Sequence, residues 1–435
     1  AGIGLALHLS LRWRAPYAGQ VLMPLVLALN GIGLAMIARV HRALEGRNVA
    51  WDQDPSRQMM WIILGALVAI AVLVMLRDHR TLRRYTWTAL VAGLLLLLMP
   101  LAPVIGREIN GSRLWINIAG FSLQPAELAK ICFAIFFAGY LVTHRDTLTL
   151  AGRKVMGMNF PRLRDLGPVL MAWGLSVAVL LFQRELGTSI LLFGLFIAML
   201  YVATERLSWV LIGLALSLAG VLVVASQVGY VQARFDVWLH ALDPEIYNRN
   251  PGGSGQIVSG LFGLANGGLM GTGWGEGYPW LTYSANADMI IASLGEELGL
   301  TGVLAILLIY VVIVQRGLRT AVGIRDGFGK LLATGLAFTM ALQVFVVVGG
   351  VTRVIPLSGL TMPFLAAGGS SLLANWIILA LLLRLSDGAR RPSSISEPAP
   401  VVVVGSAASG PVAPKPAASP AAAEPHGSGS AVSPS

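Results

Sequence analysis

The chain contains about ten apolar runs, each at or near the ~20 residues that a helix needs to cross a bilayer. Backbone groups inside lipid have no water to bond, so such runs are expected to be α-helical. The sequence therefore predicts an all-α polytopic membrane protein with about ten transmembrane helices. The runs lie at roughly 20–38, 60–76, 86–105, 126–144, 165–183, 186–204, 207–227, 290–315, 328–351 and 368–385.

Composition agrees with this class and argues against others. Charged residues make up 12% of the chain, about half the share usual in soluble domains. The net charge of +10 would suit nucleic acid, but the basic residues stand in short clusters between apolar runs, the pattern that orients membrane proteins. We therefore expect no nucleic-acid binding. Cys132 is the single cysteine, so an intramolecular disulfide is excluded and redox chemistry is not expected.

The basic clusters predict the topology, because loops rich in Lys and Arg remain in the cytoplasm. The loops at 77–85, 145–165 and 316–330 are the basic ones, and alternation places all three on that side. The segments 106–125, 228–289 and 349–371 then lie outside. The chain is thus expected to be a multi-pass protein of the cytoplasmic membrane, with its C-terminus in the cytoplasm.

Both ends differ from the membrane domain, which is placed at 12–387. Residues 1–11 form an apolar run about half the length of a span, and we interpret them as the remnant of an additional N-terminal segment. The segment 388–435 is rich in Pro, Ala and Ser and is predicted to be a disordered cytoplasmic tail.

The longest outer loop, 228–289, combines a glycine-rich stretch with an aspartate at its end. Glycines in "GGSGQIVSGLFGLANGGLMGTGWGEG" allow backbone amides to approach a ligand; the alternative is a flexible amphipathic loop on the membrane face. Asp288 stands where the loop enters the next helix. A carboxylate in such a half-desolvated place tends to have a raised pKa and can accept a proton. The alternative for Asp288 is a helix N-cap.

Four further ionisable residues fall within apolar runs and therefore need partners. Glu296 and Glu297 follow Asp288 by eight and nine residues, roughly 12–14 Å deeper along a helix. Glu127 and Lys130 are three residues apart, share a helix face and are expected to neutralise each other.

Three arginines project from the predicted outer side. Arg113, Arg184 and Arg353 could each hold a phosphate group or mark the level of the lipid headgroups. Nearby, prolines and glycines interrupt "VIPLSGLTMPFLAAGGSS". Irregular backbone at membrane depth survives only where protein or a cavity covers it, so this segment is predicted to be re-entrant and to line a site open to the outside.

Five of these segments occur in an order that resembles the SEDS family (shape, elongation, division and sporulation) of RodA/FtsW peptidoglycan polymerases. They are "GSRLWINIAGFSLQPAELAK", "QRELGTSILL", "GGLMGTGWGEG", "ADMIIASLGEELGLTG" and "IPLSGLTMPFLAAGGSSL". Within the family, "QRELGTS" and the tail are more similar to actinobacterial RodA than to FtsW. The family usually has Gln-Pro-Asp-Leu-Gly here, so Arg184 replaces a proline while Glu185 preserves the acid.

The resemblance implies a glycosyltransferase that polymerises lipid II, an undecaprenyl-diphosphate-linked disaccharide-pentapeptide, outside the membrane for elongation, cell shape or division. It implies a class B penicillin-binding protein, a transpeptidase, as partner, besides membrane lipids. Asp288 matches the acid of the family's His-Thr-Asp-Phe segment, although its neighbours here are Asn286, Ala287 and Met289.

The chemistry adds roles for the other residues. Deprotonating a sugar hydroxyl while a diphosphate leaves calls for a base and for positive charge, so Asp288 is the predicted base. The predicted diphosphate contacts are Arg113, Arg184 and Arg353, and the predicted supporting network is Glu127, Lys130, Glu296 and Glu297. The chemistry also allows a divalent cation, Mg²⁺ or Mn²⁺, although the sequence shows no dedicated ligand cluster.

Two other classes of function stay open. One is a transporter that flips lipid II, which predicts ionisable residues along a central path. The other is a non-catalytic scaffold that recruits cell-wall synthases. The glycine-rich, proline-broken and acidic segments gather on one side, which favours the enzyme.

Overall fold

The computed structural model describes residues 2–392 apart from 48, 50–53, 103–104, 110–111, 119, 150–153, 156–157, 160–166 and 251. The described part is mainly helical. Its α-helices are α1 (Gly2–Arg14), α2 (Leu22–Leu44), α3 (Pro55–Met75), α4 (Thr86–Leu98), α5 (Pro125–Thr149), α6 (Gly167–Gln183), α7 (Leu186–Thr204), α8 (Leu207–Gln227), α9 (Gly229–Leu239), α10 (Pro244–Tyr247), α11 (Gly255–Gly267), α12 (Ile290–Gly323), α13 (Gly327–Val351) and α14 (Gly369–Arg390).

Nine segments within the described residues are helical and apolar over a length that spans a membrane. They are α2, α3, α5, α7, α8, α12, α13, α14 and the stretch His79–Leu101, in which short 3-10 turns flank α4. The remaining predicted run, 165–183, corresponds to α6, which is shorter, at 17 residues. The predicted all-α polytopic fold is confirmed.

The central helices of the bundle are α7, α13 and α14. In α14, 83% of the apolar stretch is buried, against 22% for the stretch that contains α4. Where α7 and α13 meet, Gly194 faces Leu342 and Gly335 faces Met199. Without Cβ atoms these positions let the two backbones approach closely, as is typical of helices packed within membranes.

A buried ion pair ties α5 to α13. Lys130 Nζ lies 2.6 Å from Glu127 Oε2 and donates to Gln343 Oε1 at 2.8 Å. The two charged residues are only 3–4% exposed, so each charge depends on the other. The predicted pairing of Glu127 with Lys130 is present in the structure.

The segment between α13 and α14 has no regular secondary structure, yet it lies among buried side chains. Met362, Phe364 and Leu365 within it are at most 1% exposed. Side chains of three different helices bond to its carbonyl oxygens: Gln58 to Ala366 (3.2 Å), Gln343 to Thr361 (2.9 Å) and Tyr310 to Pro363. The irregular backbone is therefore satisfied by protein, as a re-entrant segment requires.

One end of the bundle, which we call the basic end, joins two of the predicted cytoplasmic loops. His79 Nε2 lies 2.8 Å from Asp326 Oδ1, and Arg384 donates to the carbonyl oxygens of Leu73 and Leu76. The loops at 77–85 and 316–330 therefore lie on the same side, as alternation of the spans requires. Part of the third basic loop, 145–165, lies outside the described residues.

The loops between the spans have more structure than the sequence suggested. Three short strands form a small antiparallel sheet: β1 (Gly106–Ile109), β2 (Ser112–Ile118) and β3 (Phe121–Leu123). A two-stranded ribbon of β4 (Lys154–Val155) and β5 (Met158–Asn159) follows α5. The loop 228–289 contains α9, α10 and α11, so its backbone bonds are largely internal.

The two termini differ from expectation in one respect. Residues 2–11 of the predicted remnant belong to α1, which packs on α3 and buries Leu7 and Leu11. At the other end α14 continues to Arg390, three residues into the predicted tail, because Asp387 pairs with both Arg384 and Arg391 and holds the last turn. The rest of the predicted tail, 393–435, lies outside the described residues.

Removing the buried ammonium group should be more damaging than removing the whole pair. Lys130→Met leaves Glu127 charged and uncompensated, so we expect the free energy of unfolding to fall by about 3–5 kcal/mol. Chemical unfolding of the purified protein in detergent measures this. The matched control is the double variant Glu127→Gln/Lys130→Met, which should recover most of the loss; equal stability of the single variant and the wild type would contradict the analysis.

Candidate active site

A polar cavity of about 970 Å³ opens beside the re-entrant segment. Its walls come from α9, from the chain around α10 and α11, from the turn before α12 and from the segment after α13. The lining residues are Ser112, Arg184, Tyr230, Ala233, Arg234, Val237, Tyr247, Arg249, Asn250, Gly252, Gly253, Gly255, Gln256, Ile257, Tyr283, Asp288, Leu357 and Gly359. Residues far apart in sequence therefore meet in one concave surface that carries many polar side chains.

Asp288 reaches this cavity from a compact turn. Ala287 and Met289 both donate their backbone N–H to the carbonyl oxygen of Ser284, at 3.0 and 3.1 Å. The N-cap of α12 is Met289, and the Asp288 carboxylate accepts no hydrogen bond from the described residues. The helix-cap alternative for Asp288 is therefore not what the structure adopts.

The turn is anchored to the re-entrant segment. The backbone N–H of Ala367 donates to the carbonyl oxygen of Asn286 at 2.9 Å, and Ser293 donates its hydroxyl to the carbonyl oxygen of Ala285 at 2.8 Å. Asn286 is fully buried. These contacts fix the backbone on both sides of Asp288, so its side chain is held at the cavity wall.

The environment of Asp288 favours a proton acceptor that works near neutral pH. Desolvation raises the pKa of its carboxyl to about 7, against the opposing attraction of the Arg234 guanidinium. At that pKa the group is substantially ionised at pH 7 and is also basic enough to take up a proton, which is the compromise required of a general base.

Three arginines line the same cavity as this single carboxylate: Arg184, Arg234 and Arg249. Arg184 was predicted from the sequence. It occupies a left-handed backbone conformation (φ 57°) directly after α6, and its guanidinium lies over the Tyr230 ring, 5.9 Å from the centroid. The proline-to-arginine departure therefore places a cation in the cavity wall.

Arg234 and Arg249 were missed by sequence reasoning. Arg234 donates to the carbonyl oxygen of Leu357 at 2.7 Å, and Arg249 lies 3.6 Å from an Asp236 carboxylate oxygen. A signal for the first was present: Tyr230, Ala233, Arg234 and Val237 have the i, i+3, i+4, i+7 spacing of one helix face, and all four line the cavity.

The other two predicted phosphate contacts lie outside the cavity lining. Arg113 is exposed on β2 and pairs with Glu108 Oε2 at 3.1 Å. Arg353 donates from Nε and Nη2 to the carbonyl oxygens of Trp238 and Leu239, each at 2.6 Å. It thereby holds the last turn of α9, the helix that carries Arg234. Binding of phosphate by either residue stays a prediction.

Glu296 and Glu297 hold the glycine-rich loop against α12. Glu296 Oε1 accepts from the Tyr278 backbone N–H at 3.0 Å and from Asn266 Nδ2 at 3.2 Å. Glu297 accepts from the Gly275 N–H at 3.0 Å, and its other oxygen lies 3.3 Å from Arg39 Nε. The two glutamates thus form a cluster of their own, with no recorded contact to the pair of Glu127 and Lys130.

Helix α12 is broken where this loop meets it. Gly299 has φ 69° and ψ −176° inside the helix, which frees backbone groups on either side. The loop supplies their partners: Thr272 and Gly273 donate to the carbonyl oxygens of Glu296 and Glu297, and Leu300 donates to the Gly268 carbonyl. The later part of the glycine-rich stretch thus approaches a helix backbone, whereas Gly252, Gly253 and Gly255 at its start line the cavity.

A second buried acid lies next to the cavity wall. Glu185 accepts from Gln124 Nε2 at 3.0 Å, and burial raises its pKa to about 7, with hydrogen bonds from Thr188 and Gln124 opposing the shift and Glu127 adding to it. Gln124 in turn donates its backbone N–H to Ser370 Oγ at 2.8 Å. Glu185 therefore joins the starts of α5, α7 and α14.

Metal binding has little support from the described residues. No group of three or more His, Cys, Asp and Glu side chains in that part of the chain is placed to hold an ion. Asp288 is the one carboxylate among the residues that line the cavity.

The geometry defines a polytopic membrane protein in which one cavity is lined by a carboxylate and three arginines. The sequence profile of the FTSW_RODA_SPOVE family, described as "Cell cycle protein", matches residues 20–391. The chain therefore belongs to this family, as the five motifs predicted.

Named relatives place it closer to RodA than to FtsW. The peptidoglycan glycosyltransferase RodA of Mycobacterium tuberculosis (strain H37Rv) is 49% identical over 389 residues, which cover 88% of this chain and 81% of that protein. A probable peptidoglycan glycosyltransferase FtsW of Geobacter metallireducens is 33% identical, covering 76% and 84%. The stage V sporulation protein E of Bacillus subtilis is 32% identical, covering 77% and 87%.

Solved structures share the fold. A chain from a study of the structural coordination of polymerization and crosslinking by a peptidoglycan synthase complex matches with a TM-score of 0.65 and 25% identity, over 86% of this chain and 99% of that one. The rod shape determining protein RodA of Thermus thermophilus matches with a TM-score of 0.58 and 22% identity, over 86% and 98%; at that identity it bears on the fold alone.

The junction of the glycine-rich loop with α12 makes a specific demand on one glycine. Gly271 has φ 83°, and a Cβ there would lie 2.2 Å from the Glu297 carbonyl oxygen. We expect Gly271→Ala to lower the free energy of unfolding by more than about 1 kcal/mol, since Ala is strained at positive φ and the clash adds to that strain. Chemical unfolding in detergent measures the loss. Gly174→Ala, where a Cβ meets nothing within 4 Å, is the control; equal effects would contradict this account.

Proposed function

We propose that this protein polymerises lipid II into glycan strands at the outer face of the bacterial cytoplasmic membrane, with Asp288 as the general base. The activity is supported by the relatives, which are named peptidoglycan glycosyltransferases. The assignment of the base rests on one observation, the position of Asp288 in a cavity that also presents three arginines.

The reaction transfers a glycosyl group between two lipid-linked sugars. A hydroxyl oxygen of the acceptor sugar attacks the anomeric carbon of the donor sugar, and the bond from that carbon to the diphosphate oxygen breaks. The hydroxyl proton passes to the Asp288 carboxylate, and the lipid diphosphate leaves with the electron pair of the broken bond. The step therefore needs a base on the acceptor side and positive charge on the donor side.

The cavity supplies both requirements. Arg184 and Arg234 are the cations that face the diphosphate in this scheme, because both line the cavity and Arg234 is close enough to Asp288 to affect its pKa. Guanidinium groups suit phosphate oxygens through their planar, paired donors. Arg249 forms an ion pair with Asp236 and is therefore a weaker candidate for binding the diphosphate.

Sugar hydroxyls need neutral hydrogen-bonding partners, and tyrosines provide them. Tyr230, Tyr247 and Tyr283 line the cavity. Burial raises the pKa of Tyr230 to about 12, although Arg234 and Arg184 oppose the shift. Its phenol is therefore protonated at neutral pH and retains the proton that it can donate to a sugar oxygen or a phosphate.

A divalent cation is not assigned a role. One carboxylate and three arginines do not form a ligand set for Mg²⁺ or Mn²⁺, which prefer several oxygen ligands. In the scheme above the arginines neutralise the leaving group, and no step passes through a metal. The divalent cation that the sequence allowed, Mg²⁺ or Mn²⁺, stays a prediction.

Replacement of Asp288 by Asn removes the base and preserves the shape of the side chain. We expect Asp288→Asn to reduce lipid II polymerisation by about 10²–10⁴-fold, the usual contribution of a positioned base. Gel analysis of the glycan strands formed by purified protein, alone and with its transpeptidase, measures this. Asp243→Asn is the matched control, an exposed acid of the same loop that pairs with His240 and lies outside the cavity lining.

The outcomes separate the functions that the sequence left open. Strands from wild type and Asp243→Asn, with almost none from an equally folded Asp288→Asn protein, support the proposal. Strands from all three proteins would move the base elsewhere. Strands from none, even with the partner present, would overturn the polymerase and favour transport of lipid II or a scaffold.

The pH dependence should follow the ionisation of Asp288. A general base must be ionised, so the polymerisation rate should fall about tenfold per pH unit below the pKa of about 7 and level off above it. Initial rates between pH 5 and 9, with thermal melting at each pH to exclude unfolding, measure the profile. A rate independent of pH between 5 and 7 would contradict Asp288 as the base.

Partner and orientation follow from the same proposal. We place the cavity outside and the basic end and C-terminus in the cytoplasm, and we propose a class B penicillin-binding protein as the crosslinking partner, consistent with the matched chain from a synthase complex. In a Cys132→Ser background, a membrane-impermeant maleimide should label Glu245→Cys in intact cells and spare Arg391→Cys. The reverse pattern would refute this orientation.

A further inference from the structure

A small cavity at the basic end has features of a binding site of its own. It encloses about 40 Å³, several times the ~10–15 Å³ that one water requires, and is lined by Gly19, Gln20, Val21, Leu22, Arg316, Thr320, Ser386 and Arg390. Arg316 follows Asp288 by 28 residues along α12, roughly 40 Å of helix. This cavity is therefore separate from the polar cavity of the candidate active site.

The lining carries two positive charges and no carboxylate. Arg316 comes from α12 and Arg390 from α14, and neither side chain forms an ion pair within the described residues. The Nε atom of Arg316 is buried and has no hydrogen-bond partner there. A buried, unsatisfied donor on a charged group costs about 1–3 kcal/mol or more, so a bound acceptor at this position would remove a real penalty.

Asp387, the acid that follows the lining residue Ser386, already has charged partners. The Asp387 carboxylate accepts hydrogen bonds from the Tyr17 backbone N–H at 3.0 Å, from Arg391 at 3.0 Å and from Arg384 at 3.4 Å. Its charge is thus balanced by two arginines other than those of the cavity. Arg316 and Arg390 are left to act on a ligand.

The remaining wall offers further donors. Helix α2 begins here, and its N-cap, Val21, makes no side-chain cap bond. The N–H groups of Leu22 and Met23 in its first turn are therefore available to an anion, whereas the third residue, Pro24, has no N–H to offer. Ser386 is 2% exposed; its Oγ accepts from the Gly19 N–H at 3.1 Å and donates to no described residue. Its hydroxyl hydrogen completes a set of donors for an oxyanion.

The surroundings indicate an anion attached to a lipid rather than one free in solution. Exposed apolar and aromatic side chains lie close in sequence to the lining residues: Trp13 (70%), Tyr17 (45%) and Val21 (39%) near the start of α2, Leu318 (40%) and Val322 (80%) near Arg316 and Thr320. Trp and Tyr concentrate at the membrane–water interface. A shallow neighbouring cavity that shares Gly19 and Gln20 adds His8 and Arg12, so basic groups continue along the same surface.

We propose that this cavity binds the phosphate group of an anionic phospholipid, with Arg316 and Arg390 as its charged ligands and the start of α2 and Ser386 as neutral donors. Basic pockets between transmembrane helices on the cytoplasmic side are suited to such headgroups. Because α2, α12 and α14 all contribute, a bound lipid would join three helices of the bundle.

The test titrates the delipidated, full-length protein in neutral detergent with short-chain phosphatidylglycerol and records the melting temperature. In wild type the lipid should raise the melting temperature, and phosphatidylcholine, which has no net charge, should not. In Arg316→Gln/Arg390→Gln the half-saturating lipid concentration should rise about tenfold or more, as expected when charge-assisted hydrogen bonds of ~1.4 kcal/mol or more are lost.

The matched control removes the same charge at the same end of the bundle. Arg319→Gln/Arg325→Gln changes two arginines outside the cavity lining and should titrate like wild type. Equal weakening in both double variants would overturn the proposal, since it would indicate general attraction to the surface. An equal effect of phosphatidylcholine, or of inorganic phosphate at matched concentration, would also overturn it, because the ligand would then not be an anionic lipid.

Discussion

The structure depends on one constraint, that backbone groups at membrane depth must find partners inside the protein. The chain breaks the helical pattern twice within the bundle, between α13 and α14 and at Gly299 in α12. The first break is satisfied by the side chains of Gln58, Gln343 and Tyr310, and the second by backbone groups of the glycine-rich loop. Without these partners each break would leave carbonyl or N–H groups unpaired in a low-dielectric interior, at a cost of several kcal/mol.

The same contacts position the candidate active site. The re-entrant segment binds the turn that carries Asp288, through Ala367 and Asn286, and binds Arg234 of α9 through the Leu357 carbonyl. The acid and the cation are therefore held by one stretch of irregular chain. Its burial also keeps water from one side of Asp288, which is the origin of the raised pKa.

Charge is distributed differently at the two ends of the bundle. Near the re-entrant segment, one carboxylate and three arginines line a cavity large enough for a substrate. At the basic end, arginines cluster around the starts and ends of helices. In the wide cavity the mixture of signs suits proton transfer and departure of an anion, whereas the purely positive lining of the small one suits binding alone.

Much of the architecture was readable from the sequence because length and hydropathy act locally. Spans, basic loops, the re-entrant segment, the pair of Glu127 with Lys130 and the position of Asp288 at a helix entrance each follow from neighbouring residues. Family membership followed from the order of five motifs. The small sheet at 106–123 was not anticipated, because its short strands carry no strong alternation of apolar and polar residues.

The sequence alone determined which segments enter the membrane and which acid stands at the boundary. The reason is that the free energy of transfer from water into the bilayer depends on the composition of each segment by itself. The tertiary structure decided which charges meet. It placed Arg234 and Arg249 in the same cavity as Asp288, and it paired Arg113 and Arg353 with other groups. It also packed the later part of the glycine-rich stretch against the backbone of α12. Such meetings depend on the relative position of helices far apart in the chain, which is set by packing of the whole bundle and is not encoded in any one stretch of residues.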